Sequence, residues 1–260
     1  MELLLYGTNH TQLSAELRES VSFVEEEIQS ALSQLASDPH ISEACIVNTC
    51  NRVEFYVAAS DSTCLPRVVR SYYQQTRGVD IREFSGGFYY LRNEDAVRHL
   101  FRVICSLDSM VIGEVDIIHQ VKRMYELATD AGTTGLLTDR AFHQAFMVAK
   151  KAQNDTRISV GSTSVAKIAV EHAERHLGSL SDVRVAVVGA GKMSLRMARY
   201  LGKHGAGDIS LVNRTVEKAQ PEAQRLGARV VGLSQLRETI DDTDLLMISI
   251  EYDRGYLLDR

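Results

Sequence analysis

The stretch Val183-Arg184-Val185-Ala186-Val187-Val188-Gly189-Ala190-Gly191-Lys192-Met193-Ser194 decides the fold of the C-terminal part of the chain. An apolar run of strand length ends in a glycine pair, and a helical pattern continues from it through His204. The first glycine permits a tight turn, and the second lets backbone approach a pyrophosphate at the helix N-terminus. The third position of this fingerprint is Ser194, small but not glycine. A ligand-free strand-to-helix turn would use the same glycines, so the information lies in the junction as much as in the motif. Ile209-Ser210-Leu211-Val212 reads as the second strand and runs into Asn213-Arg214-Thr215. An acid is expected there when the ribose 2′-hydroxyl of NAD is bound; a guanidinium and a hydroxyl suit a 2′-phosphate, which predicts NADPH. The alternative for Arg214 is a solvated loop residue. Gly189, Ala190, Gly191, Lys192, Met193, Ser194, Asn213, Arg214 and Thr215 are therefore the candidate cofactor-binding residues. Arg229-Val230-Val231 and Leu245 to Ile250 read as two more parallel strands, which makes this the opening half of a doubly wound fold.

Working back from this stretch, the pattern is helical as far as Asn93. Ser162–Leu177, Leu137–Asp155, Glu114–Ala131 and Asp95–Ser106 are candidate helices, the first with Val165, Ile168, Ala169 and His172 on one side and N-capping groups at 161–164. Before Asn93 the character changes. Strands are expected at residues 2–7, Glu43–Asn48, Val53–Ala58 and around Phe88-Tyr89-Tyr90. Helices are expected over Ser22–Leu35 and from about Pro66. The fold class is thus α/β and α+β: an N-terminal α+β domain with helices and a mixed or antiparallel sheet, then a partial Rossmann-type NADP-binding domain. The expected division is 1–157 and 158–260.

The 260 residues, of which 45% are hydrophobic and 24% charged, have the composition of a folding chain rather than a disordered one. Three prolines leave room for long helices. The net charge of −5 argues against nucleic-acid binding by bulk charge, though not against a tRNA-linked substrate held by a local patch. No apolar run approaches the roughly 18–20 residues of a membrane span, and the N-terminus carries no secretory pattern, so a cytoplasmic chain is expected. Cys45, Cys50, Cys64 and Cys105 have neither CxxC nor zinc-finger spacing, and no metal site is expected. Cys45 and Cys105 fall in apolar surroundings and read as packing residues.

Cys50 differs, because Asn48-Thr49 and Asn51-Arg52 flank it. It is either structural or a nucleophile whose thiolate Arg52 favours. A cysteine nucleophile joined to an NADP domain suggests reduction of an acid derivative to an aldehyde. At this point the sequence resembles the glutamyl-tRNA reductases. The match is carried by Gly7-Thr8-Asn9-His10 with Leu17-Arg18-Glu19, Thr49-Cys50-Asn51-Arg52-Val53-Glu54 and Arg98-His99-Leu100-Phe101. It continues through Leu107-Asp108-Ser109-Met110-Val111-Ile112-Gly113-Glu114, Gln120-Val121-Lys122, Ala149-Lys150, Ser164-Val165-Ala166 and the glycine and Asn213-Arg214-Thr215 segments, in family order.

The resemblance implies a concrete reaction. Cys50 would form a thioester from glutamyl-tRNA, and NADPH would reduce it to glutamate-1-semialdehyde for tetrapyrrole (5-aminolevulinate) biosynthesis. Thr49, Arg52, Glu54, Ser109, Glu114 and Gln120 would line the glutamate pocket, with Arg52 facing a substrate carboxylate and Glu54 or Glu114 its ammonium. His99 would sit near the thiol. Each has a structural alternative: Glu114 as a helix cap, His99 as a packed histidine, Ser109 as a local cap. Implied partners are glutamyl-tRNA and, as a further candidate, the downstream glutamate-1-semialdehyde aminomutase. The family is typically a homodimer, and its long helical dimerisation region is absent here. The departures from the family pattern are Gln12-Leu13-Ser14 for Thr-Ala-Pro, Ser106 for a glycine, Val115-Asp116 for Pro-Gln, Gln153-Asn154-Asp155 within an Arg-Thr-Glu-Thr segment, Lys192 for an acid and Glu251 in a small polar loop. Lys192, Glu251 and the missing C-terminal part favour the alternative of a non-catalytic relative that binds charged tRNA or a pathway partner. A third reading, an unrelated NADP-dependent dehydrogenase with a structural Cys50, leaves the N-terminal motif order unexplained.

Overall fold

A computed structural model of the chain describes residues 1–84, 86–114, 116–156, 158 and 165–250, with the side chain of Lys192 left aside. The chain divides into two compact units, Met1–Ser162 and Thr163–Arg260. In the first, the strands are β1 (Glu2–Asn9), β2 (Ile41–Thr49), β3 (Arg52–Ala59) and β4 (Tyr89–Arg92). Its helices are α1 (Ala15–Val21), α2 (Glu25–Ala36), α3 (Cys64–Arg77), α4 (Asn93–Ile104), α5 (Asp116–Asp130) and α6 (Leu136–Asp155).

The four strands form one sheet in the order β2-β3-β1-β4, antiparallel throughout. β2 and β3 are buried along nearly their whole length, consistent with a sheet covered on both faces, and the core gathers residues from the sheet and from α2 to α6. The short helix α1 falls where the sequence pattern predicts none. Its cap is Ser14, whose hydroxyl accepts from the Leu17 amide at 3.3 Å. The start of α6 is closed from across the fold: the buried Glu43 carboxylate accepts from the amides of Leu137 and Thr138 at 3.2 and 2.7 Å. A carboxylate there also suits the positive end of the helix.

The register of the sheet prepares the site. Glu54 of β3 lies opposite Gly7 of β1, which in turn lies opposite Tyr89 of β4. A Cβ on Gly7 would stand 2.7 Å from the Val53 carbonyl and 2.8 Å from the Glu54 Cγ. With no side chain at 7, those of Glu54 and Tyr89 meet over it.

The second unit holds a parallel sheet in the order β7-β6-β5-β8, from β5 (Arg184–Val188), β6 (Asp208–Asn213), β7 (Arg229–Gly232) and β8 (Leu245–Ile248). The helices are α7 (Val165–Leu177), α8 (Lys192–Lys203), α9 (Val216–Leu226) and α10 (Leu236–Asp241). This is the strand order of half a doubly wound sheet. α7 buries a different face from the one the sequence suggests. Ala166, Val170 and Ala173 are buried, whereas Val165, Ile168 and His172 face outward. The small residues let α7 lie close against its neighbours, and bulk alone misplaces the stripe. The expected N-cap at 161–164 and the Glu251 loop lie outside the described residues.

Candidate active site

Thr49 and Arg52 pair as the last rung of the β2–β3 hairpin, so Cys50 and Asn51 alone make the turn. The Thr49 hydroxyl accepts from the Asn51 amide at 3.2 Å and stiffens that turn. Cys50 is exposed at the tip; Cys45 is fully buried and Cys105 partly so. The Asn51 carbonyl accepts from the His10 amide at 2.8 Å, which fixes the end of β1 beside the tip.

Below the tip lies a buried ionic cluster. The guanidinium of Arg52, 1% exposed, donates to Glu54 Oε1 at 2.7 Å and to Asp108 Oδ2 at 3.1 Å, and also to the Asp108 carbonyl. The fully buried Glu54 carboxylate further accepts from Tyr89 at 2.5 Å and Tyr56 at 2.8 Å, and lies 2.7 Å from His99 Nε2. Burial alone would raise the Glu54 pKa, but Arg52, His99 and Tyr89 outweigh it and bring the carboxyl down to about 2. An ionised carboxylate can only accept, so His99 donates from Nε2. Glu54 and Tyr56 share a strand face, and Tyr89 arrives through the Gly7 row.

This geometry revises several expectations. Glu54 is enclosed by four donors and anchors Arg52 and His99 instead of facing a substrate ammonium. His99 hydrogen-bonds Glu54 and lies against the Tyr89 ring, with no hydrogen bond to the thiol. Arg52 does not make Cys50 a ready thiolate. Although the residue is exposed at the tip, partial desolvation of its sulfur pushes the thiol up and Glu114 adds to this; Arg18 opposes them, and Arg52, already shared by two carboxylates, contributes least. Ser109 and Glu114 are half-buried in the α4–α5 segment, while Gln120 is exposed on α5 and hydrogen-bonds none of the cluster. Asp108, Tyr56, Tyr89 and Arg18 were not singled out as site residues. The strand alternation of Glu54 and Tyr56 was a usable signal; the pairing of Arg52 with Asp108, 56 residues apart, was not.

In the second unit, Gly189 has φ +110°, and a Cβ there would lie 2.3 Å from the Ser249 carbonyl. Only glycine makes this turn without strain. Ser194 is fully buried, and its hydroxyl donates to the Ser249 carbonyl at 2.8 Å. It joins α8 to the end of β8 and is closed to a ligand, contrary to its place among the cofactor candidates. Gly191, the N-cap of α8, has no atom of the described residues within 4 Å of where a Cβ would be. The fold does not need glycine there, whereas a phosphate approaching the helix N-terminus does. The Asn213 side chain donates to the Thr215 carbonyl at 2.7 Å and shapes the turn around Arg214. Arg214 is exposed and, among the described residues, forms no ion pair. The turn therefore fits a dinucleotide. No group of three metal-ligating side chains occurs among the described residues, and no helix there is long and apolar enough to cross a membrane.

Each of the two units matches a known family model. Residues 6–156, more than half of the chain, match the family model of the glutamyl-tRNA(Glu) reductase N-terminal domain, and residues 171–258 match that of shikimate / quinate 5-dehydrogenase. Glutamyl-tRNA reductase of Desulfatibacillum aliphaticivorans is 34% identical over all 260 residues, which cover 60% of its length. That of Priestia megaterium is 37% identical over 249 residues, 96% of this chain and 56% of its own. The structure of glutamyl-tRNA reductase from Methanopyrus kandleri matches with a TM-score of 0.59 at 32% identity, over 95% of this chain and 58% of that one. The chain thus spans about 60% of the length of the curated relatives it matches. With its cysteine hairpin above a buried Arg–Glu cluster and a glycine turn on a parallel sheet, the chain belongs to the glutamyl-tRNA reductase family.

Proposed function

We propose that the first unit is the catalytic part of an NADPH-dependent glutamyl-tRNA reductase and the second unit its cofactor-binding part. The observation that carries this reading is Cys50, exposed on a turn of only Cys50 and Asn51 above a preformed Arg52–Glu54–His99 cluster. Its Sγ attacks the ester carbonyl carbon of glutamyl-tRNA, the carbon–oxygen bond to the ribose breaks, and the thiol proton passes to the departing hydroxyl oxygen. A carboxylate of the glutamyl group suits the planar guanidinium of Arg52, which it reaches by replacing Asp108. Glu114 is assigned to the ammonium, since Glu54 is enclosed. Thr49 holds the turn, and Ser109 and Gln120 are assigned to the pocket walls. Gly189, Ala190, Gly191 and Met193 form the turn for the pyrophosphate, and Arg214 with Thr215 takes a 2′-phosphate. A nicotinamide cofactor, when bound, supplies the hydride that converts the thioester to glutamate-1-semialdehyde.

One observation favours a second reading, binding of charged tRNA without turnover: Arg52 is already satisfied by Glu54 and Asp108. A single-turnover experiment with radiolabelled glutamyl-tRNA separates the two. Label stays on the protein in acid, is discharged by NADPH, and is lost in Cys50→Ser. Binding of tRNA with no label on the protein overturns the reductase and leaves the binding protein.

A further inference from the structure

The two carboxylates on Arg52 are not alike. Glu54 is fully buried and is fixed by Tyr56, Tyr89 and His99 as well as by the guanidinium. The Asp108 side chain is 28% exposed. One of its oxygens, Oδ2, serves both Nη1 and Nη2 of Arg52, at 3.2 and 3.1 Å. The same oxygen has a long contact with Asn9 Nδ2 at 3.5 Å. A carboxylate that docks freely on a guanidinium offers one oxygen to each nitrogen. Asp108 fills the place without making that fork.

The segment that carries Asp108 is lightly held. Ser106 at its head and Gly113 near its end both lie at positive φ, +59° and +85°. Across this neck the Gly113 amide donates to the Ser106 carbonyl at 3.2 Å, and the Glu114 amide donates to the Val111 carbonyl at 3.3 Å. Leu107, Met110 and Ile112 are exposed, so the apolar side chains of the segment contribute little burial to hold it. Few buried apolar contacts and long backbone hydrogen bonds mark a part of a protein that opens at low cost. Arg52 ties the segment to the core through both the Asp108 side chain and the Asp108 carbonyl.

We propose that Asp108 is a built-in placeholder for the free carboxylate of the substrate, and that a carboxylate docking on Arg52 displaces it and loosens residues 107–112. Like charge makes this an exchange: two further carboxylates do not share one guanidinium already paired with Glu54. An incoming carboxylate with an oxygen on each Nη also meets the Asp108 carbonyl, which shares Nη2, so the residue gives way as a whole. Between turnovers the placeholder keeps a buried guanidinium paired. It lowers the apparent affinity for a ligand in proportion to the time the place is filled. A neutral carboxamide cannot replace the charge of Asp108 and leaves the segment closed. The assignment rests on reading Arg52 as the partner of the glutamyl carboxylate, and gives Asp108 a competing role at that site.

The test uses the full chain with Cys50→Ser as parent, which binds without acyl transfer. The probes are L-glutamate α-methyl ester, with a free carboxylate, and L-glutamine methyl ester, its neutral counterpart. In calorimetric titration Asp108→Asn binds the glutamate ester roughly tenfold more tightly than the parent. Hydrogen exchange at the Gly113 and Glu114 amides quickens about threefold or more when the glutamate ester saturates the parent, and does not with the glutamine ester. In Asp108→Asn those amides exchange fast before any ligand is added. Weaker binding to Asp108→Asn overturns the proposal, because a support has then been lost and no competitor removed. Exchange that the glutamate ester leaves unchanged overturns it too, as does failure of that ester to bind. If Asp108→Asn does not fold, the two esters compared on the parent still decide. None of these measurements involves acyl transfer. A segment that loosens as expected without label transfer to Cys50 counts against the reductase reading alone, and label transfer with a fixed segment against this assignment alone.

Discussion

The two sites of this chain are built on opposite plans. At the hairpin the protein fills its own demands: Arg52, Glu54, Tyr56, Tyr89, His99 and Asp108 satisfy one another, the first three out of contact with solvent. At the glycine turn the useful feature is what has been left out. Space stands open at Gly191, and the exposed Arg214 has no ion-pair partner among the described residues. The first plan holds reactive groups in place before any ligand arrives, which is where positioning gains its rate advantage. The second keeps donors available to a ligand that brings its own negative charge. A mutation at the first site should therefore damage the fold and function together, and one at the second should be able to separate them.

The comparison breaks most visibly at Glu54. Glu54→Ala leaves a buried guanidinium with one partly exposed carboxylate and strips Tyr56, Tyr89 and His99 of their shared acceptor. The expected loss is roughly 3–5 kcal/mol in urea denaturation, with glutamyl labelling abolished. The same carboxylate sets an acid limit. Its folded pKa of about 2 lies below the ordinary 4.5, so the folded state binds this proton less readily than the unfolded one. The stabilisation is complete above pH 4.5 and is lost as pH falls through 4.5 towards 2. Glu54→Gln should be less stable at pH 7 and should flatten that part of the profile; an unchanged slope would mean that Glu54 is not the group responsible.

At the other site the comparison is sharpened by two glycines of the same turn. Gly189→Ala forces a side chain into a positive-φ position and against the Ser249 carbonyl, and should cost roughly 1–3 kcal/mol in the second unit. Gly191→Ala meets no atom of the described residues within 4 Å. It should change stability by less than about 1 kcal/mol, as expected at an N-cap, yet weaken NADPH binding about tenfold or more. Thermal melting and fluorescence titration read the two effects. Equal loss of binding and stability in both variants would remove the distinction between a glycine kept for the fold and one kept for a ligand.

Much of this was legible in the sequence because it is local. The strand-glycine-helix junction at 183–194, the hairpin strands either side of Cys50 and most helix boundaries follow from periodicity and turn chemistry within a short window. The parts that escaped depend on register. No local rule says that Gly7 stands between Glu54 and Tyr89, and only that row makes Glu54 an enclosed anchor rather than an available acid. Arg52 suggested a free cation beside the thiol for the same reason: its partner Asp108 comes from the α4–α5 segment. Ser194 shows the reverse error. Its fingerprint position implies a residue facing a ligand, whereas its hydroxyl is spent on the Ser249 carbonyl. The apolar stripe of α7 was misplaced because alanines, not larger residues, make the close contact.

The smallest expected effect is a gain. Ser106 closes α4 with φ +59°, a conformation that costs a non-glycine residue strain. It is buried at the head of the segment that delivers Asp108 to Arg52, and the Gly113 amide donates to its carbonyl at 3.2 Å. The hydroxyl recovers little, since its contact with the Val111 carbonyl is long at 3.3 Å. Ser106→Gly should remove the steric strain and lose that weak bond, while adding some entropy to the unfolded chain. The balance is a stabilisation of about 0.5–1 kcal/mol, measured as a higher midpoint in urea with an unchanged slope. A destabilised variant would mean that the serine hydroxyl holds the segment more firmly than its geometry suggests. The hairpin cluster would then depend on one further side chain, and the contrast between a self-satisfied site and an open one would extend to the segment that carries Asp108.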